Sequence, residues 1–351
     1  MPSQCSRRRC PLGHHGQLKD ARSEATGLCP TSSSPADSPG AHVSDTDEPL
    51  VSVVVATDRG GPFLAEALHS AVGQTYGRIE IVVVDDGASD PETIAAIVAR
   101  EPRVRLVRQR NTGVSVARNA GVALTSGDLL VFLDDDDRWH PDRIRRQVDA
   151  LLSNPDAVLS YCGMRSIDAH GSELVAADQF QVADAHEVLQ RRTGIILPNI
   201  MIRRSAFVRV GGFHPAFRRA QDLDLVLKAA LEGDFVFVPD TLVDYRTHSG
   251  NNTSRHRELV RSIDHVIRLH RWNALEKGRL DIVADHDISL RANARFTAWS
   301  SARAARRLAK SGHVLAALGE LLWSVRAAPT APFEWVRHRL PRWRTDTRQR
   351  R

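Results

Sequence analysis

The chain has 351 residues, 42% of them hydrophobic and 26% charged, with a formal net charge of +6. That balance describes a globular protein with apolar material for a sizeable core, and no apolar run approaches the ~20 residues that cross a bilayer. The basicity is lopsided: residues 301–351 carry twelve Arg or Lys against Glu320, Glu334 and Asp346, a net of +9 that leaves −3 for the rest, so the charge describes a tail and not a nucleic-acid-binding body.

Residues 1–48 are rich in Ser, Pro, Gly and Arg without apolar periodicity, and read as a disordered leader. They hold Cys5, Cys10 and Cys29; a zinc site from Cys5, Cys10, His14 and His15 fits no standard ligand spacing, so thiols without a role are expected. No apolar segment follows the arginines as in a secretory signal, and the chain reads as cytoplasmic. Order is expected from residue 49. Val51–Val55 is a β-branched run suited to a strand buried on both faces, Pro62 opens a helix with an apolar stripe, and Ile79–Val84 is a second buried strand ending in Asp85-Asp86-Gly87. A helix over Pro91–Arg100, a short strand Val104–Val107, a helix Gly113–Thr125 and a strand Leu129–Leu133 follow, the last ending in Asp134-Asp135-Asp136-Asp137. Such alternation predicts an α/β fold with a mostly parallel, Rossmann-type sheet flanked by helices. Ligands of open sheets sit beyond the carboxyl ends of the strands, where both aspartate clusters fall.

Downstream, a helix Pro141–Leu152, a strand Val158–Cys162, a helix Asp222–Glu232 and strands Phe235–Val238 and Leu242–Tyr245 are expected, while residues 163–200 show no regular pattern. The domain is expected to close near residue 250. Helical spacing dominates from Arg255, predicting a helical extension over 251–351 with a basic tail.

Four adjacent carboxylates repel one another unless a cation or donors offset them. Hard divalent cations such as Mg²⁺ and Mn²⁺ prefer carboxylate oxygens and bridge protein to phosphate, so Asp134–Asp137 reads as a metal and diphosphate site, against a capped or solvated loop. Asp86 is placed to accept from a base or ribose, or simply to form a turn with Gly87. Arg118, one turn inside a helix entered through Thr112-Gly113, suits a phosphate or an ion pair with the aspartates. In Gln221-Asp222-Leu223-Asp224, acids cap a helix start, and a carboxylate facing the pocket serves equally as a general base. His248, in Tyr245-Arg246-Thr247-His248, is a surface histidine or a contact to metal or phosphate.

Together Val51–Thr57, Gln74-Thr75-Tyr76, Ile81–Asp90, Asn111–Gly121, Phe132–Asp137 with Trp139 and Pro141, Gly211-Gly212-Phe213, Gln221–Asp224 and Tyr245–His248 resemble, in order and spacing, the inverting glycosyltransferase family 2. The resemblance, over roughly 50–250, implies a GT-A-like fold and a nucleoside-diphosphate-sugar donor. It implies that Thr57, Asp85 and Asp86 line the nucleoside pocket and that Asp134–Asp136 form the DXD-type motif, with Asp135 near the ribose and Asp136 the foremost ligand of Mg²⁺ or Mn²⁺. It further implies that Asp222 is the general base and that His248 approaches the metal or diphosphate. Two departures stand out: Gln221 replaces the usual Glu before the base, and Ala56-Thr57-Asp58-Arg59 replaces a pattern with an aromatic residue, leaving the nucleotide base open. The expected acceptor is a glycan or lipid-linked hydroxyl of cell-envelope polysaccharide or glycolipid synthesis. The arginine-rich tail, with Trp335 and Trp343, is either a peripheral contact at the inner face of the cell membrane or a solvated terminus. A nucleotidyltransferase acting on a sugar phosphate and a non-catalytic nucleotide-sugar-binding protein are the rivals.

Overall fold

The computed structural model describes residues 48–248 and 255–329; the expected leader up to residue 47 and the basic tail from residue 330 lie outside the described residues. β1 (Val51–Thr57), β2 (Ile79–Asp86), β3 (Val104–Gln109) and β4 (Leu129–Asp134) alternate with α1 (Pro62–Val72), α2 (Pro91–Val98) and α3 (Val114–Ala123). They form the parallel half of the sheet, in the order β3-β2-β1-β4. Alternate residues feed two apolar layers: Val54 packs with Phe132 on one face, and Val51, Val53 and Val55 pack with Leu64 and Ile94 on the other. Gly121 lets α3 lie close on β1, since a Cβ there would sit 2.4 Å from Val54 Cγ1.

Beyond β4 the sheet is mixed. β5 (Arg138–Trp139), α4 (Arg143–Ser153), β6 (Ala157–Ile167), β7 (Glu173–Val175), α5 (Ala185–Leu189), β8 (Ile200–Arg203), α6 (Arg204–Arg209), α7 (Gln221–Ala229) and β9 (Asp234–Arg246) follow in the chain. The order continues β4-β8-β6-β9-β5; β8 runs antiparallel to β4 and β6, while β9 is parallel to β6. The two strands expected at Phe235–Val238 and Leu242–Tyr245 are one, because register shifts around Gly163 absorb Pro239 as a bulge. β8 and α6 lie at and just beyond the end of the irregular stretch and were not anticipated: four strand residues pass directly into six helical ones, too few for either period to show.

α8 (His256–Glu276), α9 (Leu280–Lys310) and α10 (Val314–Ala327) complete the described chain. Val266 and Ile267 of α8 and Ile282 of α9 belong to the same apolar layer as Phe132 and Phe213. Among the described residues no helix is long and apolar enough to cross a membrane.

Candidate active site

The strand register sets the site. Thr57 pairs with Asp85 across β1 and β2, and Ala56 pairs with Asp134 across β1 and β4. Three neighbouring parallel strands therefore finish level, and their last residues open on a cleft of about 1570 Å³. Asp86, Asp134, Asp135, Asp136 and Asp222 all line it, with Thr57 and Arg118.

The four consecutive aspartates have four different surroundings. Asp134 pairs with Arg118, whose guanidinium is buried over the Phe213 ring; the ion-pair reading of Arg118 is the arrangement present. Asp135 accepts from Thr57 Oγ1 at 2.6 Å and from Arg59. Asp136 takes a second bond from Arg59 at 3.0 Å and lies 2.9 Å from His248 Nε2. Burial, together with the charges of Asp134 and Asp135, pushes the Asp136 carboxyl up to about 6, against the pull of His248 and Arg59. Asp137 turns inward, fully buried, and accepts the Arg246 backbone N–H at 2.8 Å. Burial beside Asp134 and Asp136 raises its pKa well above the ordinary value.

Arg246 was not singled out by its sequence, although it stands two residues from His248. Its buried guanidinium donates to the Asp136 carbonyl at 2.9 Å, pairs with Glu66 at 2.6 Å and packs on the Phe63 ring. It clamps the aspartate turn to the end of β9, and so sets His248 against Asp136. Thr57 ties the turn to β1 from the other side.

Asp86 and Asp85 point opposite ways, as alternate strand residues must. Asp86 accepts from Gln109 Nε2, the Thr112 N–H and the Gly113 N–H at 2.8–2.9 Å, anchoring the entry to α3 while still lining the cleft. Asp85 does not line the cleft. It accepts from the Ala88 N–H at 2.7 Å and pairs with Arg108 at 3.3 Å, so the structure places it under the turn and not in the pocket the resemblance implied.

Asp222 reaches the cleft through a chain of contacts from α3. Asn119 exchanges two hydrogen bonds with the backbone of Phe213, and Ser115 donates to the Phe217 carbonyl at 2.7 Å. The loop so held ends at Ala220, in the left-handed conformation at φ 56, and α7 begins with Asp222 in its first turn. Asp224 is structural: buried, it pairs with Lys228 at 2.6 Å and with His270 of α8 at 2.8 Å. Burial raises its pKa, but these hydrogen bonds prevail and hold it below the ordinary value.

Among the described residues no three acidic, histidine or cysteine side chains are arranged as a ready ligand cage. Mg²⁺ and its like are commonly held by one or two carboxylates plus substrate phosphates, however. Asp136 with His248 beside it meets that description, and Arg59 bridging Asp135 and Asp136 shows that the turn accommodates a cation.

The model of the family "Glycosyl transferase family 2" matches residues 52–211. An uncharacterized glycosyltransferase of Rickettsia typhi is 30% identical over 224 residues, covering 60% of this chain and 68% of that protein. One from Rickettsia felis is 32% identical over 215 residues, which is 59% of this chain but 36% of that protein. The chondroitin synthase of Escherichia coli is 27% identical over 59% of this chain and 30% of its own length. Among solved structures, S. aureus TarS 1–349 in complex with UDP-GlcNAc superimposes with a TM-score of 0.56 at 15% identity, covering 82% of this chain and 87% of that one. The fold is that of the GT-A glycosyltransferases, a mixed sheet flanked by helices with a helical C-terminal region. The chain belongs to glycosyltransferase family 2.

Proposed function

We propose that the protein transfers a sugar from a nucleoside-diphosphate sugar to an acceptor hydroxyl, with inversion at the anomeric carbon. One observation carries this: Asp86, Asp134–Asp136 and Asp222, far apart in sequence, line a single cleft at the carboxyl ends of parallel strands. The nucleoside lies by Thr57, Asp86 and Asp135, and the diphosphate by Asp136. Asp222 takes the proton of the acceptor hydroxyl as its oxygen attacks the anomeric carbon opposite the leaving diphosphate. The carbon–oxygen bond to the donor phosphate breaks and its electron pair stays on the diphosphate. Asp136, with His248 beside it, would hold Mg²⁺ or Mn²⁺, and that cation would neutralise charge on the diphosphate.

The bound UDP-GlcNAc of TarS makes a UDP-sugar the first donor to try. The relation to chondroitin synthase suggests a growing polysaccharide or glycolipid of the cell envelope as acceptor. Incubation with UDP-, GDP- and dTDP-sugars and Mn²⁺ is expected to release a nucleoside diphosphate. Pyrophosphate release from a sugar phosphate and an NTP would make it a nucleotidyltransferase, and nucleotide-sugar binding without turnover would make it a binding protein. The arginine-rich tail is proposed as a peripheral contact with an anionic membrane surface; liposome co-sedimentation with and without residues 330–351 tests it, and equal pelleting removes the idea.

A further inference from the structure

The cleft has a second wall, built from residues 178–198, 216–223 and 255–265, and its charge is the reverse of the first. It presents Arg191, Arg192, Arg218, Arg219, Arg255 and Arg261 against Asp178, Asp222 and Glu258. Glu258 is already taken, by Arg219 at 2.9 Å and by Arg255 at 4.0 Å. Arg191, Arg192, Arg218 and Arg261 have no carboxylate partner among the described residues. A globular protein seldom leaves several cations facing one cavity without an anion to answer them.

Arg191 is the most constrained of the four. It follows Gln190, the C-cap of α5, and adopts the left-handed conformation at φ 57, with its N–H on the Val188 carbonyl at 2.9 Å. That is the helix-ending position glycine usually takes, and an L side chain there is strained. The side chain is packed into the wall: its Nη1 is buried and lacks any hydrogen-bond partner. An unsatisfied buried guanidinium nitrogen is destabilising unless something accepts from it. Burial lowers its pKa from the ordinary value, and the charge of Asp222 partly offsets this, which places the arginine within reach of the base's field. α5 is held from behind, where Asp285 of α9 accepts from Gln190 at 2.7 Å and lies 2.5 Å from His186. A strained backbone, a donor without an acceptor and a rigid support coincide on a residue facing the pocket.

Resting on the glycosyl-transfer reading above, we propose that the acceptor carries an anionic group, phosphate or carboxylate, and that Arg191, assisted by Arg192 and Arg218, binds it and so presents the acceptor hydroxyl to Asp222. The donor diphosphate would meet its counter-charge across the cleft, in the cation that Asp136 would hold. The second wall therefore serves the other substrate. A planar guanidinium suits both oxyanions, which it can bind through paired hydrogen bonds.

Three probes sharing one ring separate the possibilities: methyl glucoside, glucose 6-phosphate and glucuronate, each titrated by calorimetry into the full chain with UDP and Mn²⁺ present. At least one anionic probe is expected to bind ten-fold or more tightly than the neutral one, and which of the two does so tells phosphate from carboxylate. Arg191→Gln is expected to bring that probe to the level of methyl glucoside while leaving UDP binding unchanged. Equal binding of the three, no measurable binding of either anion, or an anion preference that survives Arg191→Gln overturns the proposal. Should Arg191→Gln fail to fold, the double variant Arg192→Ala, Arg218→Ala on the rim is expected to weaken the anionic probe about five-fold; an unchanged affinity counts against the idea equally. If UDP and the other nucleotides do not bind wild-type protein but the anion does, the glycosyl-transfer reading fails instead, and the two failures stay distinct.

Discussion

The two walls of the cleft differ in how their charges are settled. On the wall made by β1, β2, β4 and the end of β9, four aspartates have partners from the same fold: Arg118 for Asp134, Arg59 for Asp135 and Asp136, the α3 entry for Asp86. On the opposite wall Arg219 and Arg255 share Glu258, while Arg191, Arg192, Arg218 and Arg261 have no carboxylate partner among the described residues. A site whose charges are internally balanced can hold its shape while empty. A site whose charges are not is complete only with its ligand, and it announces the ligand's sign.

The largest test of this contrast is Asp222→Asn. It removes proton acceptance on the second wall and touches nothing on the first, so kcat is expected to fall by about 10²–10⁴-fold while donor affinity stays the same. Initial rates set beside calorimetry of the donor check it; near-normal turnover removes Asp222 from its role. Next comes Asp224→Ala, which strands Lys228 and His270 beside a vacated buried site and should cost about 3 kcal/mol in chemical denaturation. A loss below about 0.5 kcal/mol would mean that the clasp does not hold α7.

The helix behind the second wall offers a pH test. His286 of α9 is buried, and burial together with the charge of His270 lowers its pKa to about 4. A depressed pKa means the unfolded chain binds the proton first, so stability is whole above about 6.5 and is lost as pH falls toward 4, by up to about 3 kcal/mol. His286→Gln should flatten the thermal-stability profile in that window, and an unchanged slope refutes the assignment. The smallest effect is expected on the first wall. Arg59→Gln frees Asp135 and Asp136 from their internal cation, and Mn²⁺ binding without nucleotide should tighten by about ten-fold, or about 1.4 kcal/mol. Equal or weaker binding would mean that Arg59 does not compete with the metal.

The first wall was legible in the sequence because its elements are the kind that patterns reveal: three apolar strands, each stopped by an acid or a turn. Phe132–Asp137 could be read as one strand end, but not the division of labour among its aspartates, which depends on Arg59, Arg118, Arg246 and His248 arriving from elsewhere. Asp85 was grouped with Asp86, although the two-residue period of a strand already sends them to opposite faces. The second wall was largely hidden. Residues 163–200 contain a three-residue strand, a five-residue helix and a 3₁₀ turn, each shorter than a period can mark. Arg191 has no motif around it; its significance lies in a backbone angle and an unmet donor, and neither leaves a trace in the order of residues.

His270 lies beyond residue 250, outside every segment of the family resemblance, yet it steadies the helix from which Asp222 projects. The support of the proposed base is thus distributed over more chain than the signature residues occupy. A polypeptide cut after β9 would retain the whole acidic signature and still lack the brace on the helix that carries Asp222, so possession of the signature is a poor guide to where a working enzyme of this kind can be shortened.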